Sequence, residues 1–198
     1  VNAILQVWYP GARGGKAAAD ILFGSCSPSG KLPVTFYKDL EGFPAFEDYS
    51  MKGRTYRYLD REPLYPFGYG LTYGKVSVKE AAVVGEIKEG EAFEVSAVLE
   101  NNGDYDTDEV LQAYIKDLES KYAVPNHSLC AFKRVALKKG ETVQVTMQVP
   151  YEALMIVDEE GKKYVDSTRF ALYVGISQPD ARSISLTGQE PVKVDITL

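Results

Sequence analysis

The stretch from Gly53 to Tyr73 constrains the fold of this chain more than any other part of the sequence. It reads GRTYRYLDREPLYPFGYGLTY and is interrupted throughout by proline and glycine. These residues exclude a regular helix or a central strand, because proline lacks an amide hydrogen and glycine weakens both structures. So irregular a segment cannot bury its rings within itself, and we expect them to pack against neighbouring structure. The rings concerned are Tyr56, Tyr58, Tyr65, Phe67, Tyr69 and Tyr73.

The two flanks of this stretch differ in pattern. Residues before it read like parts of an α/β domain, and residues after it like successive antiparallel strands. A flexible linker between two such units would be rich in glycine, serine or charge and poor in rings. We therefore interpret residues 46–74 as an aromatic strap whose rings pack between two domains. A core meander of one larger domain is the alternative.

The first part of the chain contains a strand–helix–strand pattern. Val1 to Trp8 is almost wholly apolar, which is typical of a strand covered on both faces. Lys16 to Phe23 combines strong helix formers with apolar residues at helical spacing, and Gly24 follows in the position that closes helices. Lys31 to Tyr37 then returns as an extended segment, which Pro33 keeps at a sheet edge.

One strand–helix–strand unit is too small to form a covered sheet by itself. A strand buried on both faces needs neighbours on either side, and the sequence has no further segments of that kind. We therefore interpret residues 1–45 as the remnant of an α/β sandwich domain. Either the rest of that domain precedes Val1, or the apolar run pairs with another chain. The second option predicts a homodimer through an exposed strand.

The pattern changes to period two after Lys75. Thr142 to Val149 is the clearest case, because its valines and Met147 fall on one face and its polar residues on the other. About seven such segments predict a fibronectin type III-like (immunoglobulin-like) antiparallel β-sandwich over residues 75–198, so the chain is expected to be mainly β. The predicted strands are Val76–Val84, Ala92–Glu100, Val110–Leu118, Leu129–Leu137, Thr142–Val149, Phe170–Val174 and Val192–Leu198.

Composition argues against several classes of function. The net charge is −6 and no basic stripe stands out, so we predict no nucleic-acid partner, since phosphates are bound by clustered lysine and arginine. No apolar run reaches the roughly 18 residues of a membrane-spanning helix, so we predict no membrane partner. Cys26 and Cys130 lie in different segments and are expected to be unpaired thiols.

Motifs for metal binding and nucleophilic catalysis fail on inspection. Asp104, Asp106 and Asp108 alternate like the start of a calcium loop, but Glu109 stands where that loop requires glycine. His127 is the only histidine, and we expect it on an exposed loop without a nucleophile to activate. We therefore predict no catalytic residue, no cofactor and no metal site in this chain.

Several stretches, in the same order, resemble family 3 glycoside hydrolases. Trp8 to Gly11, Ala18 to Gly24 and Pro28 to Pro33 resemble the closing part of the α/β sandwich domain of that family. Gly53 to Tyr58 and Pro63 to Tyr73 look like the strap that leads into its C-terminal fibronectin type III-like domain. Further similarity to that domain lies in Asn101–Gly103, Glu109–Tyr114 and Leu129–Val135.

The resemblance implies retaining hydrolysis of β-glucosides or β-xylosides by a complete enzyme. The catalytic carboxylates of the family would lie upstream of Val1, on an N-terminal barrel and on the α/β sandwich domain, and no residue here matches them. We therefore expect this chain to brace those missing domains, its partners, as a structural C-terminal portion that is inactive alone. A β-linked oligosaccharide would be the substrate of the complete enzyme, and a periplasmic or extracellular location is implied.

The loop from Phe46 to Arg54 is expected to approach the rim of the substrate pocket. There Asp48 and Arg54 would exchange hydrogen bonds with sugar hydroxyls. A free-standing carbohydrate-binding or protein-interaction β-sandwich stays open as the alternative function, because clustered rings can stack on sugars. The inward packing that proline and glycine predict for the strap favours the structural interpretation.

Overall fold

The structure is a computed structural model that describes residues 2–198. Its first part is mostly irregular, with two helices, α1 (Gly14–Leu22) and α2 (Thr55–Tyr58). The second part is rich in strands and contains one more α-helix, α3 (Ala181–Thr187). The strands are β1 (Val76–Val84), β2 (Phe93–Asn101), β3 (Thr107–Asp117), β4 (Ser128–Leu137), β5 (Thr142–Val149), β6 (Ile156–Val157), β7 (Lys163–Tyr164), β8 (Arg169–Gly175) and β9 (Val192–Thr197).

Two antiparallel sheets form the second part and confirm the predicted β-sandwich. One sheet has the strand order β1-β2-β5 and the other the order β4-β3-β8-β9. Strand β2 pairs with β5 along its length, from Phe93 opposite Val149 to Glu100 opposite Thr142. The predicted strands all fall on strands of these two sheets, whereas α3 and the short β6–β7 hairpin were not predicted.

The core lies between the two sheets. The period-two pattern of β2 places alternate residues inside, from Phe93 to Leu99, as the sequence predicts. Strand β3 differs, because it is buried on both faces from Leu111 to Ile115. Its inner face joins the core, and its outer face is covered by the aromatic strap. A central strand with two covered faces is therefore the surface on which the strap lies.

The predicted N-terminal strand is absent from residues 2–8, and that prediction was wrong for the described part of the run. Val1 lies outside the described residues. The side chains from Asn2 to Trp8 are exposed, and Trp8 has a φ of 52°, far from extended geometry. A strand requires a hydrogen-bonded neighbour, and no sheet within residues 2–198 includes this segment.

The predicted helix over Lys16 to Phe23 is confirmed as α1, and Gly24 follows it with a φ of 76°. This helix leaves Leu22 67% exposed, and Phe23 after it is 86% exposed. Apolar side chains exposed at this density mark a surface that contacts other protein or a ligand. Within residues 2–51, the large apolar residues that are exposed are Ile4, Leu5, Val7, Trp8, Tyr9, Leu22, Phe23, Val34, Leu40, Phe46, Tyr49 and Met51.

Candidate functional site

The aromatic strap is bound on one side to the extended segment predicted over residues 31–37. Leu32 N donates to Tyr69 O at 2.9 Å, and Phe36 N donates to Tyr65 O at 2.9 Å. Phe36 and Tyr65 also form an isolated antiparallel bridge. The extended segment therefore runs beside the strap and has no sheet of its own among the described residues.

Tyr56 lies at the centre of the contact between the strap and the sandwich. Its ring stacks on Phe67, with centroids 4.2 Å apart and an interplanar angle of 8°. The same ring meets Tyr114 of β3 edge-on at 6.2 Å. Leu129 N donates to Tyr56 Oη at 3.0 Å, and burial raises the pKa of this phenol. Tyr56 therefore stays neutral and closes the outer face of β3.

The other four rings of the strap lie in different surroundings. Tyr65 and Tyr69 stack on each other, with centroids 5.9 Å apart and planes 5° apart. Tyr73 is 44% exposed, and its Oη donates to Ile21 O of α1 at 2.7 Å. Tyr58 is half-buried, with an arginine guanidinium 5.8 Å from its ring centroid. The strap thus contacts α1 as well as the sandwich.

Gln112 of β3 binds the strap from beneath. Its Nε2 donates to Gly68 O and to Ile176 O, each at 3.0 Å, and its Oε1 accepts from Tyr114 Oη at 2.6 Å. Gly68 has a φ of 76°, and a Cβ at this position would overlap Gln112 Oε1 and Tyr114 Oη. Glycine is therefore needed here both for its backbone conformation and for the close approach.

A buried ion pair links the first part of the chain to the sandwich. Lys31 Nζ lies 2.7 Å from Glu109 Oε1 of β3, and the two side chains are 8% and 3% exposed. Lys31 Nζ also donates to Gly70 O at 2.7 Å, and Val110 N donates to Glu109 Oε1 at 2.7 Å. Burial raises the pKa of Glu109, while the ammonium of Lys31 acts in the opposite direction. The pair fixes the position of Lys31 along β3.

The loop before β4 holds α2. Asn126 Nδ2 donates to Tyr56 O and Leu59 O, each at 2.8 Å, and Asn126 N donates to Arg57 O at 3.1 Å. One asparagine therefore satisfies three carbonyl groups of the strap. The contact fixes α2 against the sandwich. This helix is only four residues long, about one turn.

His127 is packed rather than exposed, so the prediction of an exposed loop was wrong. Its ring meets Tyr114 edge-on at 5.3 Å and lies 6.2 Å from the ring of Tyr56. Burial lowers the pKa of His127 to about 4, so its imidazole is neutral at pH 7. Its polar neighbours Asn126 and Ser128 suggested solvent, but the strap covers this loop.

The loop predicted to form a pocket rim is held by Arg54. Arg54 Nη2 donates to Ala45 O at 2.9 Å and to Asp48 O at 2.8 Å, and its guanidinium lies 5.1 Å from the ring centroid of Phe43. Asp48 is exposed, and its Oδ1 accepts from Ser50 N at 2.8 Å, which lowers the pKa of the carboxyl. Asp48 and Arg54 are thus brought together, but the guanidinium bonds to the loop itself.

The structure of residues 2–198 contains no group of three or more histidine, cysteine or acidic side chains placed to hold a metal ion. In the acidic hairpin tip, Lys139 Nζ lies 2.8 Å from Asp104 Oδ1, and Lys139 N donates to Asp106 Oδ1 at 2.8 Å. Cys26 and Cys130 are free thiols. No helix in the same range is both long and apolar enough to span a bilayer.

The fold and the strap define the class of this protein. Residues 1–73 match the glycosyl hydrolase family 3 C-terminal domain, and residues 109–178 match the fibronectin type III-like domain. The chain belongs to glycoside hydrolase family 3, in which it corresponds to the C-terminal region: the end of the α/β sandwich domain followed by the fibronectin type III-like domain. The resemblance found in the sequence is therefore confirmed.

Relatives and solved structures agree with this assignment. The chain is 45% identical to a xylan 1,4-β-xylosidase of Xylanibacter ruminicola, over 80% of this chain and 18% of that protein. It is 32% identical to a periplasmic β-glucosidase of Salmonella typhimurium, over 88% of this chain and 25% of that protein. The crystal structure of the Bifidobacterium adolescentis family 3 β-glucosidase matches with a TM-score of 0.77 at 28% identity, over 93% of this chain and 28% of that one. The chain thus spans between 18% and 28% of the length of these proteins.

Sequence reasoning missed the residues that bind the strap from the side of the sandwich. Gln112 stands in a predicted strand, where polar residues normally face solvent, Glu109 stands just before that strand, and Lys31 stands in an edge segment. Only the burial of Gln112 and Glu109 on a covered strand reveals their role. The signal available in the sequence was weak: Gln112 lies between Leu111 and Ala113, inside an otherwise apolar run.

Proposed function

We propose that this chain is the structural C-terminal portion of a family 3 β-glycosidase that hydrolyses β-glucosides or β-xylosides with retention. Residues 75–198 brace the catalytic domains, residues 46–74 form the linking strap, and residues 1–45 complete the α/β sandwich domain. The observation that carries the proposal is the strap, which bonds to residues 31–37 on one side and to β3 on the other. The six rings of the strap act as interdomain packing residues.

The exposed apolar side chains at the end of α1 support a neighbouring domain. Phe23 at 86% exposure and Leu22 at 67% exposure lie at the end of α1, where further protein would cover them. Residues 2–8 form no strand in this structure. The proposal therefore places them against the upstream α/β domain rather than against a second copy of the chain.

A bracing role has a direct consequence for retaining hydrolysis. The mechanism needs two carboxyl groups about 5–5.5 Å apart on opposite sides of the scissile bond. A displacement of about 1 Å at such a site costs roughly 100-fold in rate. A strap held by the buried Lys31–Glu109 pair and by Gln112 limits such displacement in a domain that carries part of the site. The two carboxyl groups themselves are proposed to lie outside this chain.

The same proposal assigns Asp48 and Arg54 to the rim of the substrate pocket and the enzyme to the periplasm or the extracellular space. The exposed position of the loop supports the first assignment. The name of the Salmonella relative, a periplasmic β-glucosidase, supports the second. The substrate is a β-linked oligosaccharide or glycoside, in agreement with the names of both curated relatives.

The test compares this chain with the longer enzyme that carries it, using aryl β-glucosides and aryl β-xylosides. We expect hydrolysis from the longer enzyme and none from the chain alone. In the longer enzyme, Gln112→Ala should lower both the thermal midpoint and kcat, because it releases the strap, whereas the exposed Glu86→Gln should change neither. Turnover by the chain alone would contradict the proposal. Micromolar binding of oligosaccharides by the chain alone would favour the free-standing carbohydrate-binding module.

A further inference from the structure

Two aromatic side chains of the loop over residues 44–50, here called the rim loop, lie almost entirely in solvent. Phe46 is 91% exposed and Tyr49 is 92% exposed. Tyr56 and Phe67, by contrast, stack on each other against β3. An aromatic side chain in water does not gain the favourable free energy of burial. Two such rings on one loop therefore mark a contact surface.

The rim loop is braced in one conformation. Arg54 Nη2 bonds to Ala45 O and Asp48 O, the carbonyl groups that flank Phe46 and Glu47. Asp48 N donates to Ala45 O at 3.0 Å, which closes a turn under the same two residues. A loop that is ordered before it binds loses less entropy on binding, which favours recognition of a small ligand.

The support under Arg54 is aromatic. Its guanidinium lies 5.1 Å from the ring centroid of Phe43, and that ring meets Tyr37 edge-on at 4.8 Å. Tyr37 Oη in turn accepts from Thr55 N at 3.0 Å, at the start of α2. Arg54 is therefore fixed from below by the first part of the chain and by the strap, and its donors point into the loop.

We propose that the rim loop binds the glycoside itself, with Phe46 and Tyr49 as stacking surfaces and Glu47 as an acceptor for sugar hydroxyls. A sugar offers an apolar C–H face and a set of hydroxyl donors, which suits rings that flank an exposed carboxylate. The end of α1 differs, because Leu22 and Phe23 present an apolar surface suited to a protein domain. This inference rests on the proposed function and moves ligand contact from Arg54, which becomes a positioning residue, to Phe46, Glu47 and Tyr49 of the loop that Arg54 holds.

The experiment uses the longer enzyme that carries this chain, with Phe46→Ala, Tyr49→Ala and Glu47→Gln as single variants. Phe132→Ala is the matched control, because this ring is also exposed, at 68%, but lies on β4 of the sandwich. The readouts are kcat and KM for a methyl glycoside and for a β-linked trisaccharide, together with the thermal midpoint of each variant.

We expect each ring variant to raise KM for the trisaccharide about 5-fold, as the loss of one ring contact predicts. The thermal midpoint and the KM for the methyl glycoside should change little, and the control should match the parent enzyme. Unchanged KM for the trisaccharide in both ring variants would overturn the inference. A lower thermal midpoint with equal losses on both substrates would also overturn it, because it would assign the rings to domain packing.

The proposed function is tested separately in the same series. Gln112→Ala reports on the strap and does not touch the rim loop. If Gln112→Ala destabilises the enzyme while the ring variants leave KM unchanged, only the rim-loop inference fails. If Gln112→Ala has no effect on stability or kcat, the bracing role fails, whatever the ring variants show.

Discussion

Lys31 Nζ and Glu109 Oε1 form an ion pair at 2.7 Å in which both side chains are almost fully withdrawn from water. The pair joins residues that are 78 positions apart in the sequence, one in an irregular edge segment and one in β3. A buried pair adds little net stability compared with an apolar pair, but removal of one partner leaves an uncompensated charge. The pair therefore makes the contact between the first part of the chain and the sandwich specific.

The first prediction concerns this pair. We expect Lys31→Met to lower the free energy of unfolding of the chain by roughly 3 kcal/mol, because Glu109 then lacks its cation in a dry environment. The double variant Lys31→Met with Glu109→Leu should recover most of that loss, since no charge stays buried. Urea denaturation followed by circular dichroism measures both values.

The control for the pair is Lys139→Met, which removes an exposed ion pair with Asp104. We expect no measurable change there, because solvent screens exposed pairs. A loss for Lys31→Met as small as that of the control would contradict the role given to the buried pair.

The second prediction concerns the close approach of the strap at Gly68. Gly68→Ala should lower the free energy of unfolding by about 2–3 kcal/mol, because it combines an unfavourable φ with overlap against Gln112 and Tyr114. Gly85→Ala is the matched control: Gly85 has the same φ of 76° but open space around its Cβ position. The control isolates the backbone cost of about 1 kcal/mol.

Hydrogen exchange locates the Gly68 effect. We expect faster exchange at Leu32 N and Gly68 N, whose hydrogen bonds hold the strap to the extended segment. The strands β2 and β5, on the opposite sheet, should keep their protection. Equal losses of stability for Gly68→Ala and Gly85→Ala would show that the strap does not need this close approach.

The third prediction follows from the low pKa of His127, about 4 in the folded chain. An unfolded histidine has a pKa of about 6.5, so between these values the unfolded chain binds more protons than the folded one. Stability is therefore fully present above pH ~6.5 and falls as the pH is lowered towards 4, by up to roughly 3 kcal/mol. His127→Gln should remove this part of the pH dependence.

The comparison with His127→Gln is needed because other groups titrate nearby. Asp180 favours the charged form of His127 and Lys116 opposes it, while burial is the dominant cause of the lowered pKa. The pKa of Glu109 is raised in the folded chain, so its contribution to folding stability is lost as the pH rises through that pKa. This dependence is opposite in direction to that of His127. Denaturation of both proteins at pH 7.5 and pH 5 gives the difference; equal pH dependence would contradict the burial of His127.

The fourth prediction uses two neighbouring asparagines. Asn101 is fully buried: its Oδ1 accepts from Lys75 N and Gly103 N, and its Nδ2 donates to Tyr105 O and Lys138 O. We expect Asn101→Ala to cost about 3 kcal/mol, since four backbone groups lose their partner.

Asn102→Ala provides the control for Asn101, because Asn102 is exposed and its side chain bonds only to a glutamate on the surface. We expect a change within about 0.5 kcal/mol there. Thermal denaturation of the two variants side by side measures the contrast. Similar midpoints would show that the bonds of Asn101 are replaced by water.

The sequence was informative where local pattern and burial agree. Thr142 to Val149 alternates strictly, and β5 has those bounds with its apolar residues turned inward. Lys16 to Phe23 has helical spacing and a closing glycine, and α1 is found there within two residues at its start and one at its end. Such segments are predictable because side-chain period and backbone hydrogen bonding are both short-range properties.

The sequence misled where burial depends on distant residues. The apolar run from Val1 to Trp8 predicted a strand, but residues 2–8 have no neighbouring strand within residues 2–198 with which to pair. His127, with polar residues on both sides, predicted an exposed loop, although the strap covers it. Both errors arise because a local pattern does not specify which distant segment, if any, lies against it.

By itself, the sequence determined the β-sandwich and the helix over residues 14–22 through the spacing of apolar residues. The order of the motifs determined the family, and the positions of glycine and proline determined the irregular character of the strap. Only the tertiary structure decided how the strap is held. Lys31 pairs with Glu109, Gly68 accepts from Gln112, and Asn126 donates to carbonyl groups of α2. In each case the two partners lie far apart along the chain. Two polar groups that are distant in sequence become partners only when the segments that carry them are buried against each other. Which segments pack together is decided by the fold of the whole chain and not by the local sequence.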